Sequence, residues 1–507
     1  MIADKRATRD SYYGAALLAG SAIYLCANLF ATPTTPFLLG GDQALFWTNA
    51  LRLLHGELIY RDFLEFTPPG ADLIYLGMFR LLGSRIWVAN LVVLVLGVTL
   101  CWLCFRVARS IMSPVQAALA AALLVVLDYG RMLNGTHHWF SMLAVMGALA
   151  ILLSASTPWR IAAAGMLLGV ASFFTQTRGP FAALGVAAFV MWDRRQTQQP
   201  WQTCLKHASW IIVPLVMTWV ALSSYFIAKL GFWQLWYFQV TYVLRYVTTG
   251  PSDLSFSSPE VLAWLAKPEG LLFLLIFFTV PGIYALTVWR CSRRVPRSDS
   301  SDSARRESQR IMLLTFVGAT LFVEVAESPN WIRLYCVVIP AIILGVWLLT
   351  HTLTTTLRGY ATTLMWAGLI CVAAQQTWSR HRHQALFADL PAGRVATARL
   401  TGEKLAWLAR HTTPGQLFFE ARWVDLYMPL ALRNPTFTDM LEGGHNSRPE
   451  FVDLSIRQLE ARQVRYIIWA HRLESSAYPF ARFRQFLAER YQRVFTFPDQ
   501  DEVWQLK

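Results

Sequence analysis

Long apolar runs alternate with short polar connections over the first three quarters of the chain. A run of about 20 apolar residues matches the hydrocarbon thickness of a bilayer, so this pattern predicts about eleven transmembrane helices. The polar break TQTRGP at 175–180 favours two short helices over one kinked helix. The predicted spans are 14–31, 86–107, 114–128, 136–154, 159–175, 179–192, 208–229, 270–290, 311–326, 332–350 and 359–378.

The composition agrees with a polytopic α-helical membrane protein. Hydrophobic residues make up 55% and charged residues 15%, against about 25% charged residues in an ordinary globular chain. Disorder, collagen and a small disulfide scaffold are excluded. A net charge of +14 would suggest nucleic-acid binding in a soluble protein. Here the arginines lie between apolar runs, so the charge indicates topology and attraction to anionic membrane lipids, and no nucleic-acid partner is expected.

The basic connections predict the orientation. With the N-terminus in the cytoplasm, the arginine-rich connections, including the basic loop 291–310, lie on the cytoplasmic side. The opposite orientation would leave about seventeen Lys and Arg in short outward loops, which the positive-inside rule disfavours. We therefore expect a multi-pass protein of the inner (plasma) membrane. Its first span is retained, and its C-terminal region lies outside the cytoplasm.

Two domains are expected, a transmembrane domain at 1–379 and an extracytoplasmic α/β domain at 380–507. In the first, the outward loop 32–85 carries two amphipathic stretches with helical spacing, which predict interfacial helices. A second outward loop, 230–268, is rich in aromatic residues. In the C-terminal region, helix-like and strand-like segments alternate. These are helix-like 393–411, strand-like QLFFE, helix-like 450–462, strand-like VRYIIWA, helix-like 480–490 and strand-like 492–497.

Ionisable residues near the predicted membrane ends are concentrated on the outward side. Acidic and basic groups facing each other at one membrane face indicate a polar cavity rather than a proton path across the bilayer. The candidates for this cavity are Asp42, Glu65, Asp128, Arg131, His137, His138, Arg178, Arg245, Glu324, Glu327 and Arg333.

The first outward loop holds the most specific motif, GGDQALFWTNALRLLHGELIYRDFLEFTPPGADLIYLGMFRLLG. Asp42 follows two glycines, and Ala50–Gly56, Tyr60-Arg61-Asp62-Phe63 and Pro68-Pro69-Gly70 come after it. This succession resembles the first extracytoplasmic loop of GT-C superfamily membrane glycosyltransferases. The resemblance is closest to the bacterial branch related to protein O-mannosyltransferases, aminoarabinose transferases and rhizobial lipopolysaccharide sugar transferases.

The resemblance implies transfer of a sugar from a polyprenyl-phosphate carrier to an acceptor outside the membrane, with inversion at the anomeric carbon. The acceptor would be lipid A or lipopolysaccharide, another polysaccharide, or a protein. Its attacking hydroxyl or amine needs a carboxylate to take its proton. Asp42 matches the family's acidic position and is the predicted base, with Glu65 as its rival. The alternative for Asp42 is an ordinary helix N-cap.

The donor phosphate needs positive charge, and an arginine fork holds phosphate bidentately. Arg178 and Arg333 are the predicted phosphate ligands. The segment SPNWIRLYCVVIP resembles the family's outward segment, in which an aromatic residue such as Tyr335 precedes a proline. The alternative for Arg333 is pairing with Glu324 or Glu327, and Arg178 could mark only the interface.

Five further residues are candidates for the cavity. His137 is preferred alone over the pair His137–His138, because adjacent residues on a helix point about 100° apart. The five are Tyr60, Arg61, Asp62, His137 and Arg245.

Two positions depart from the family's motif. Gln43 stands where the family often has a second acid, and Thr67 stands where a basic residue often precedes the double proline. A divalent cation on Asp42 and Glu65 is therefore in doubt, and no other cofactor is expected. The competing classes are a transporter or flippase, which would need pseudo-symmetric repeats, and an O-antigen-ligase-like protein, whose polar residues would concentrate in a late loop.

Overall fold

A computed structural model describes residues 2–154, 157–196, 198, 200–247, 259–293, 302–326, 330–441, 444–475 and 480–507. The helices of its first part are α1 (Ile2–Leu29), α2 (Asp42–Leu54), α3 (Gly70–Leu82), α4 (Ile86–Arg109), α5 (Pro114–Leu123), α6 (His137–Ser154), α7 (Pro158–Phe174), α8 (Arg178–Gln196), α9 (Trp201–Leu230), α10 (Phe232–Trp236), α11 (Pro259–Leu265), α12 (Pro268–Arg293), α13 (Asp302–Ala326), α14 (Trp331–Val337), α15 (Ile339–Thr352) and α16 (Thr355–His383). Segments of π-helix follow α5 and α10, at Leu124–Tyr129, Tyr237–Thr241 and Val243–Val247.

Every predicted span coincides with a helix of this bundle. Among the described residues, seven helices are long and apolar enough to cross a membrane, or eight if α14 and α15, bent by 60° at their junction, form one broken span. Two further predicted spans correspond to the shorter apolar helices Pro114–Tyr129 and Pro158–Phe174. The chain is therefore a multi-pass membrane protein, and the count of about eleven crossings stays a prediction.

The TQTRGP break separates two helices, as predicted. Helix α7 ends at Phe174 and α8 begins at Arg178. Gly179 allows the two to approach closely, because a Cβ at this position would lie 2.0 Å from Ser172 Oγ and 2.2 Å from the Leu168 carbonyl oxygen. Pro180 stands in the first turn of α8, where its missing N–H costs no helical hydrogen bond.

The first loop contains the two predicted amphipathic helices, α2 and α3. Trp47 of α2 meets the ring edge of Tyr75 of α3, with centroids 6.3 Å apart. The N-terminal end of α2 is fastened to the segment before α6, since the Gly135 N–H donates to Gln43 Oε1 at 3.1 Å. Helix α2 therefore holds the start of the loop against the bundle.

The C-terminal region is built from strands and helices. A four-stranded sheet has the order β5-β6-β8-β7, with β5 and β6 parallel and the other neighbours antiparallel, and β3 and β4 form a separate antiparallel hairpin. The strands in these sheets are β3 (Leu386–Leu390), β4 (Gly393–Thr397), β5 (Phe418–Glu420), β6 (Tyr466–Trp469), β7 (Tyr491–Thr496) and β8 (Glu502–Leu506). The helices are α17 (Arg399–His411), α18 (Tyr427–Leu430), α19 (Pro449–Ala461) and α20 (Ala481–Arg490), with β1 (Phe30–Thr32) and β2 (Thr35–Pro36) preceding the first loop and 3₁₀ turns at Gly444–Ser447 and His471–Ser475.

One predicted element of this region is wrong in its first half. The segment 393–411 was expected to be helical throughout, but 393–397 is strand β4, and only the remainder forms α17. Pairing with β3 over five residues buries Val395 and Ala396 and outweighs local helix propensity. The domain boundary at 379/380 stays a prediction, and α16 runs through it to His383.

The first loop and the C-terminal region share backbone and side-chain contacts. Leu38 N–H donates to the Ala396 carbonyl at 2.8 Å, and Leu64 N–H donates to the Phe437 carbonyl at 2.7 Å. Arg52 of α2, almost fully buried, forms an ion pair with Asp439. These ties fix the first loop between the helix bundle and the C-terminal region, which is where the candidate site lies.

Candidate active site

Asp42 lies in the first turn of α2 and is half-buried. The interpretation of Asp42 as the N-cap is wrong. Gly41 occupies the N-cap position with φ +81°, so no side chain caps the helix there. The left-handed backbone of Gly41 turns the chain sharply into the helix. From the C-terminal region, Asp425 Oδ1 accepts a hydrogen bond from the Gly41 N–H at 3.2 Å. The carboxylate of Asp42 is thus held at a defined bend.

Arg178 begins α8 with only 1% of its side chain exposed. Its Nε lies 3.3 Å from Glu324 Oε2 of α13, and the Thr177 hydroxyl donates to Glu324 Oε1 at 2.6 Å. Among the described residues, Nη1 of Arg178 has no partner with hydrogen-bond geometry. Buried donors are normally satisfied, so this nitrogen is suited to an anionic ligand.

The two adjacent histidines at the start of α6 face the same place. Their ring centroids are 4.0 Å apart, and both lie within electrostatic range of Arg178 and Arg333. The expectation that only one of these histidines faces the site stays a prediction. The Phe46 ring of α2 packs edge-on to His137 at 5.4 Å.

Helix α14 supplies the other predicted phosphate ligands. Asn330 caps the helix, its Oδ1 accepting the Arg333 N–H at 2.9 Å. The Tyr335 ring stacks on Trp331 at 5.2 Å, and its hydroxyl accepts a hydrogen bond from Arg131. Of the two acids expected to pair with Arg333, Glu324 pairs with Arg178 and Glu327 lies outside the described residues.

These groups converge on one end of the bundle. The side chain of Cys336, buried in α14, lies within electrostatic range of four charged groups, which are Arg178, Asp128, Glu324 and Asp42. Asp128 is itself buried in the π-helical turn after α5. The structure therefore brings the predicted base and the predicted phosphate ligand Arg178 into one electrostatic neighbourhood.

Glu65 has a different environment from Asp42. Its side chain is buried, and its oxygens accept hydrogen bonds from Asn49 Nδ2 at 2.8 Å, Phe66 N–H at 2.8 Å, Thr67 N–H at 2.9 Å and the Thr67 hydroxyl at 3.0 Å. Burial raises the pKa of Glu65, and the hydrogen bonds from Thr67 and Phe66 partly oppose this. Burial and the nearby Glu65 charge raise the pKa of Asp72 well above its usual range. These contacts favour an organising role for Glu65 within the loop.

The residues present do not fit a protein-held metal ion. Within the described ranges, no group of three His, Cys, Asp or Glu side chains is arranged to hold one. The oxygens of Glu65 are already occupied by four donors, and Gln43 uses its amide oxygen on the Gly135 backbone. A cation on Asp42 and Glu65 therefore has little support from the donor set.

The Tyr60-Arg61-Asp62-Phe63 motif forms a tight turn. Tyr60 has φ +68° and is buried, and its hydroxyl donates to the Thr67 carbonyl at 2.5 Å and accepts from Gln239 Nε2 at 3.0 Å. Arg61 and Asp62 pair with each other at 2.7 Å and line a separate groove on the outer face of the loop. The exposed Arg245 stacks over the Tyr246 ring.

Sequence reasoning missed three polar residues that hold the loop together. Asn49 donates to Glu65, Gln239 donates to Tyr60, and Gln176 of the TQTRGP break donates to the carbonyls of Phe66 and Gln239 at 3.3 and 3.2 Å. One signal was available, because Asn49 lies among the apolar residues of the predicted α2 stripe. Its position two turns after Asp42 puts both on the same side of the helix.

The described residues form a polytopic membrane protein whose first loop carries Asp42 and whose helix bundle contains the buried Arg178–Glu324 ion pair. No protein-family model matches the chain, and a search of curated proteins found no match in sequence.

Solved structures are similar in fold. ArnT from Cupriavidus metallidurans bound to undecaprenyl phosphate superposes with a TM-score of 0.59 at 13% identity, over 97% of this chain and 97% of that chain. Its apo state gives 0.59 at 14% identity, over 97% and 98%. The archaeal oligosaccharyltransferase AglB from Archaeoglobus fulgidus, in complex with an inhibitory peptide and a dolichol-phosphate, gives 0.53 at 12% identity, over 98% and 74%. The fold that the first-loop resemblance implied is confirmed, because the chain shares the fold of these ArnT and AglB structures.

Proposed function

We propose that this protein is an inverting membrane glycosyltransferase that moves a sugar from a polyprenyl-phosphate carrier to an acceptor outside the cytoplasm. The observation that carries the proposal is the buried guanidinium of Arg178, whose Nη1 has no partner among the described residues. Phe46, one turn after Asp42, and Thr175, three residues before Arg178, both contact His137. The fold it shares with ArnT, a protein solved with undecaprenyl phosphate, supports the same class of donor.

The cavity supplies what the leaving group needs. In the transfer, the bond between the anomeric carbon and the phosphate oxygen breaks, and its electron pair stays on the phosphate. Arg178 and Arg333, with the His137–His138 pair beside them, stabilise the charge that accumulates there. Glu324 holds the Arg178 side chain from the α13 side, so its remaining donors are directed to the ligand.

Asp42 serves as the general base. As the new bond forms between the acceptor oxygen or nitrogen and the anomeric carbon, the acceptor's proton passes to the Asp42 carboxylate. Attack on the face opposite the departing phosphate inverts the configuration. Glu65, enclosed by hydrogen bonds from Asn49 and Thr67, organises the loop instead of accepting this proton.

The orientation follows the basic connections. With the loop that carries Asp42 outside the cytoplasm, the acceptor is a lipid, a glycan or a protein of the cell envelope, and the membrane is the inner (plasma) membrane. No observation favours a transporter, which would need polar groups along a path through the bundle.

Carrier binding and glycan transfer test the proposal in two steps. Undecaprenyl phosphate should raise the Tm of the purified protein, and Arg178→Gln should weaken carrier binding by roughly 10- to 150-fold, the loss expected for one hydrogen bond to a charged group. Arg160→Gln is the matched control, since Arg160 lies half-buried in the first turn of α7, at the end opposite the site, and its Nη1 donates to Ser154 Oγ at 3.0 Å.

Mass spectrometry of envelope glycans then compares cells with the wild-type gene and with Asp42→Asn. The variant should lose the added sugar, with kcat lower by about 10²–10⁴, while it still inserts and binds carrier. Asp389→Asn, an exposed aspartate on the β3–β4 hairpin, should transfer normally. Wild-type transfer by Asp42→Asn would remove Asp42 from the base role, and a failure of the wild type to bind carrier would overturn the proposed function.

A further inference from the structure

An open groove lies between the first loop and the C-terminal region. It has a volume of about 750 Å³, within the range of pockets that hold small ligands. None of its lining residues belongs to the cavity around Arg178. The lining consists of Glu57, Arg61, Asp62, Gly415, Leu417, Arg433, Phe437, Leu454, Gln458 and Arg462.

The two acidic residues of this groove lie in ion pairs. Glu57 Oε2 lies 2.7 Å from the buried Arg52, which also pairs with Asp439, and Asp62 Oδ2 lies 2.7 Å from Arg61. The hydrogen bond from Arg61 lowers the pKa of Asp62, which keeps this ion pair formed. Asp62 is therefore balanced by Arg61, whereas Glu57 shares Arg52 with a second carboxylate.

Three arginines and two carboxylates line the groove, which leaves a net positive charge of one. Arg433 Nη2 forms a long ion pair of 4.0 Å with Glu57 Oε1, and its side chain is 42% exposed. Arg462 is exposed at the C-terminal end of α19. Their guanidinium groups meet the groove from different elements, so one anionic group between them would be held from two sides.

The backbone under these arginines is held in place. The Arg433 N–H donates to the Gln416 carbonyl, and its own carbonyl accepts the Phe418 N–H, both at 3.0 Å. The Arg462 N–H donates to the Gln458 carbonyl at 3.1 Å. Because the backbone that carries these arginines is already ordered, binding an anion costs little further conformational entropy of the protein.

The remaining surface of the groove is apolar with one amide. Leu417, Phe437 and Leu454 supply apolar surface, and Gln458 accepts the Phe437 N–H at 2.7 Å. A sugar ring presents an apolar C–H face together with hydroxyls, so it matches such a lining better than a bare inorganic ion does.

We propose that this groove binds a sugar unit carrying a phosphate or a carboxylate, as part of the acceptor. The inference rests on the proposed function and adds the substrate class to it: the acceptor is an anionic glycan or glycolipid. Arg433 and Arg462 bind its anionic group, and Phe437 packs against its ring. The first loop, which also carries Asp42, forms one wall of the groove through Glu57, Arg61 and Asp62.

Ligand-observed NMR on the full-length, detergent-purified protein tests the groove without requiring transfer. The probe is glucose 6-phosphate, compared with glucose and with inorganic phosphate. Arg433→Gln and Arg462→Gln should each raise the Kd for glucose 6-phosphate by about tenfold. The Kd of Arg433→Lys should lie between those of the Gln variants and the wild type. Arg410→Gln is the control, because Arg410 is exposed on α17 and donates only to its own helix at Ala406.

The two proposals fail in different ways. Equal binding of glucose 6-phosphate by wild type and both Gln variants would overturn the groove assignment, and so would inorganic phosphate binding as tightly as the sugar phosphate. In the transfer assay, Arg433→Gln should raise the acceptor KM about tenfold with the donor KM unchanged. Arginine-dependent binding of glucose 6-phosphate by a wild type that neither binds carrier nor transfers sugar would overturn the proposed function and, with it, the acceptor role.

Discussion

Asn49 shows how one side chain organises the candidate site. Its Nδ2 donates to Glu65 from the buried face of α2, and the same face carries Asp42 two turns earlier. Of the five acids of the first loop, Asp42 lies at a sharp turn, Glu57 and Asp62 line the groove, and Glu65 and Asp72 are buried. Environment separates their chemistry.

Glu65→Gln should lower stability more than it lowers catalysis. An amide in place of the carboxylate turns an NH₂ group towards N–H donors and leaves buried groups unsatisfied, at a cost of about 1–3 kcal/mol. We expect a lower Tm and lower yield, with kcat per folded molecule within a few fold of wild type. A folded Glu65→Gln protein without transfer activity would assign the base role to Glu65.

The buried acids predict a pH dependence. Burial raises the pKa of Asp72 above the ordinary 3.8, so the folded chain keeps a proton that the unfolded chain releases. The stability that Asp72 contributes is therefore fully present below about pH 4 and is lost as the pH rises through the raised pKa. Asp72→Asn should flatten this fall, raising the Tm at pH 7.5 and leaving it unchanged near pH 4. If the curves of Tm against pH for the wild type and Asp72→Asn ran parallel, this prediction for Asp72 would be contradicted.

At the level of elements, the start of α2 depends on the C-terminal region. Asp425 accepts the Gly41 N–H, and a Cβ on Gly40 would lie 3.2 Å from the Asp425 carboxylate oxygens. This contact reaches the residue directly before Asp42, so we assign Asp425 a positioning role.

Asp425→Ala should lower kcat about tenfold with both KM values nearly unchanged, because the base is displaced while binding surfaces stay intact. Asp425→Asn keeps an acceptor oxygen and should restore most of the rate. Steady-state kinetics and Tm measurements on both variants distinguish this role from a structural one. If Asp425 were only structural, Asp425→Asn and Asp425→Ala would both have a lower Tm, and the folded fraction of each would have a normal kcat.

Hydrophobic periodicity predicted the helices well where the local sequence determines the structure. The two loop helices and the TQTRGP break follow from apolar spacing and from Pro-Gly chemistry. Strands β3, β4 and β8 were missed or misassigned, because partners distant in sequence determine their pairing. In the site, the sequence proposed Asp42 and Arg178, and their roles stay predictions. The separate placement of Arg61 and Asp62 could not, because it depends on where Arg433 and Arg462 fold.

For the whole molecule, the basic connections predict that the C-terminus is outside the cytoplasm. A periplasm-specific phosphatase fused after Lys507 should be active, and a cytoplasm-specific reporter at the same place should be silent. A fusion within 294–301, in the predicted cytoplasmic loop, should give the reverse pattern. Reversed signals at both positions would place the loop that carries Asp42 in the cytoplasm. Asp42 could then not reach an acceptor outside the cytoplasm.

Arg52 has a consequence for how the chain is made. Its buried guanidinium is satisfied by Glu57, by the Thr436 carbonyl at 2.8 Å and by Asp439, which lies 387 residues further along the chain. At 5–20 residues per second, synthesis reaches Asp439 roughly 20–80 seconds after Arg52. During that interval the first loop has left the ribosome with a cation that still lacks part of its final environment. Biogenesis of the catalytic face is therefore completed last, and a chain stalled before residue 439 is a substrate for membrane quality-control proteases even when its helices are already inserted.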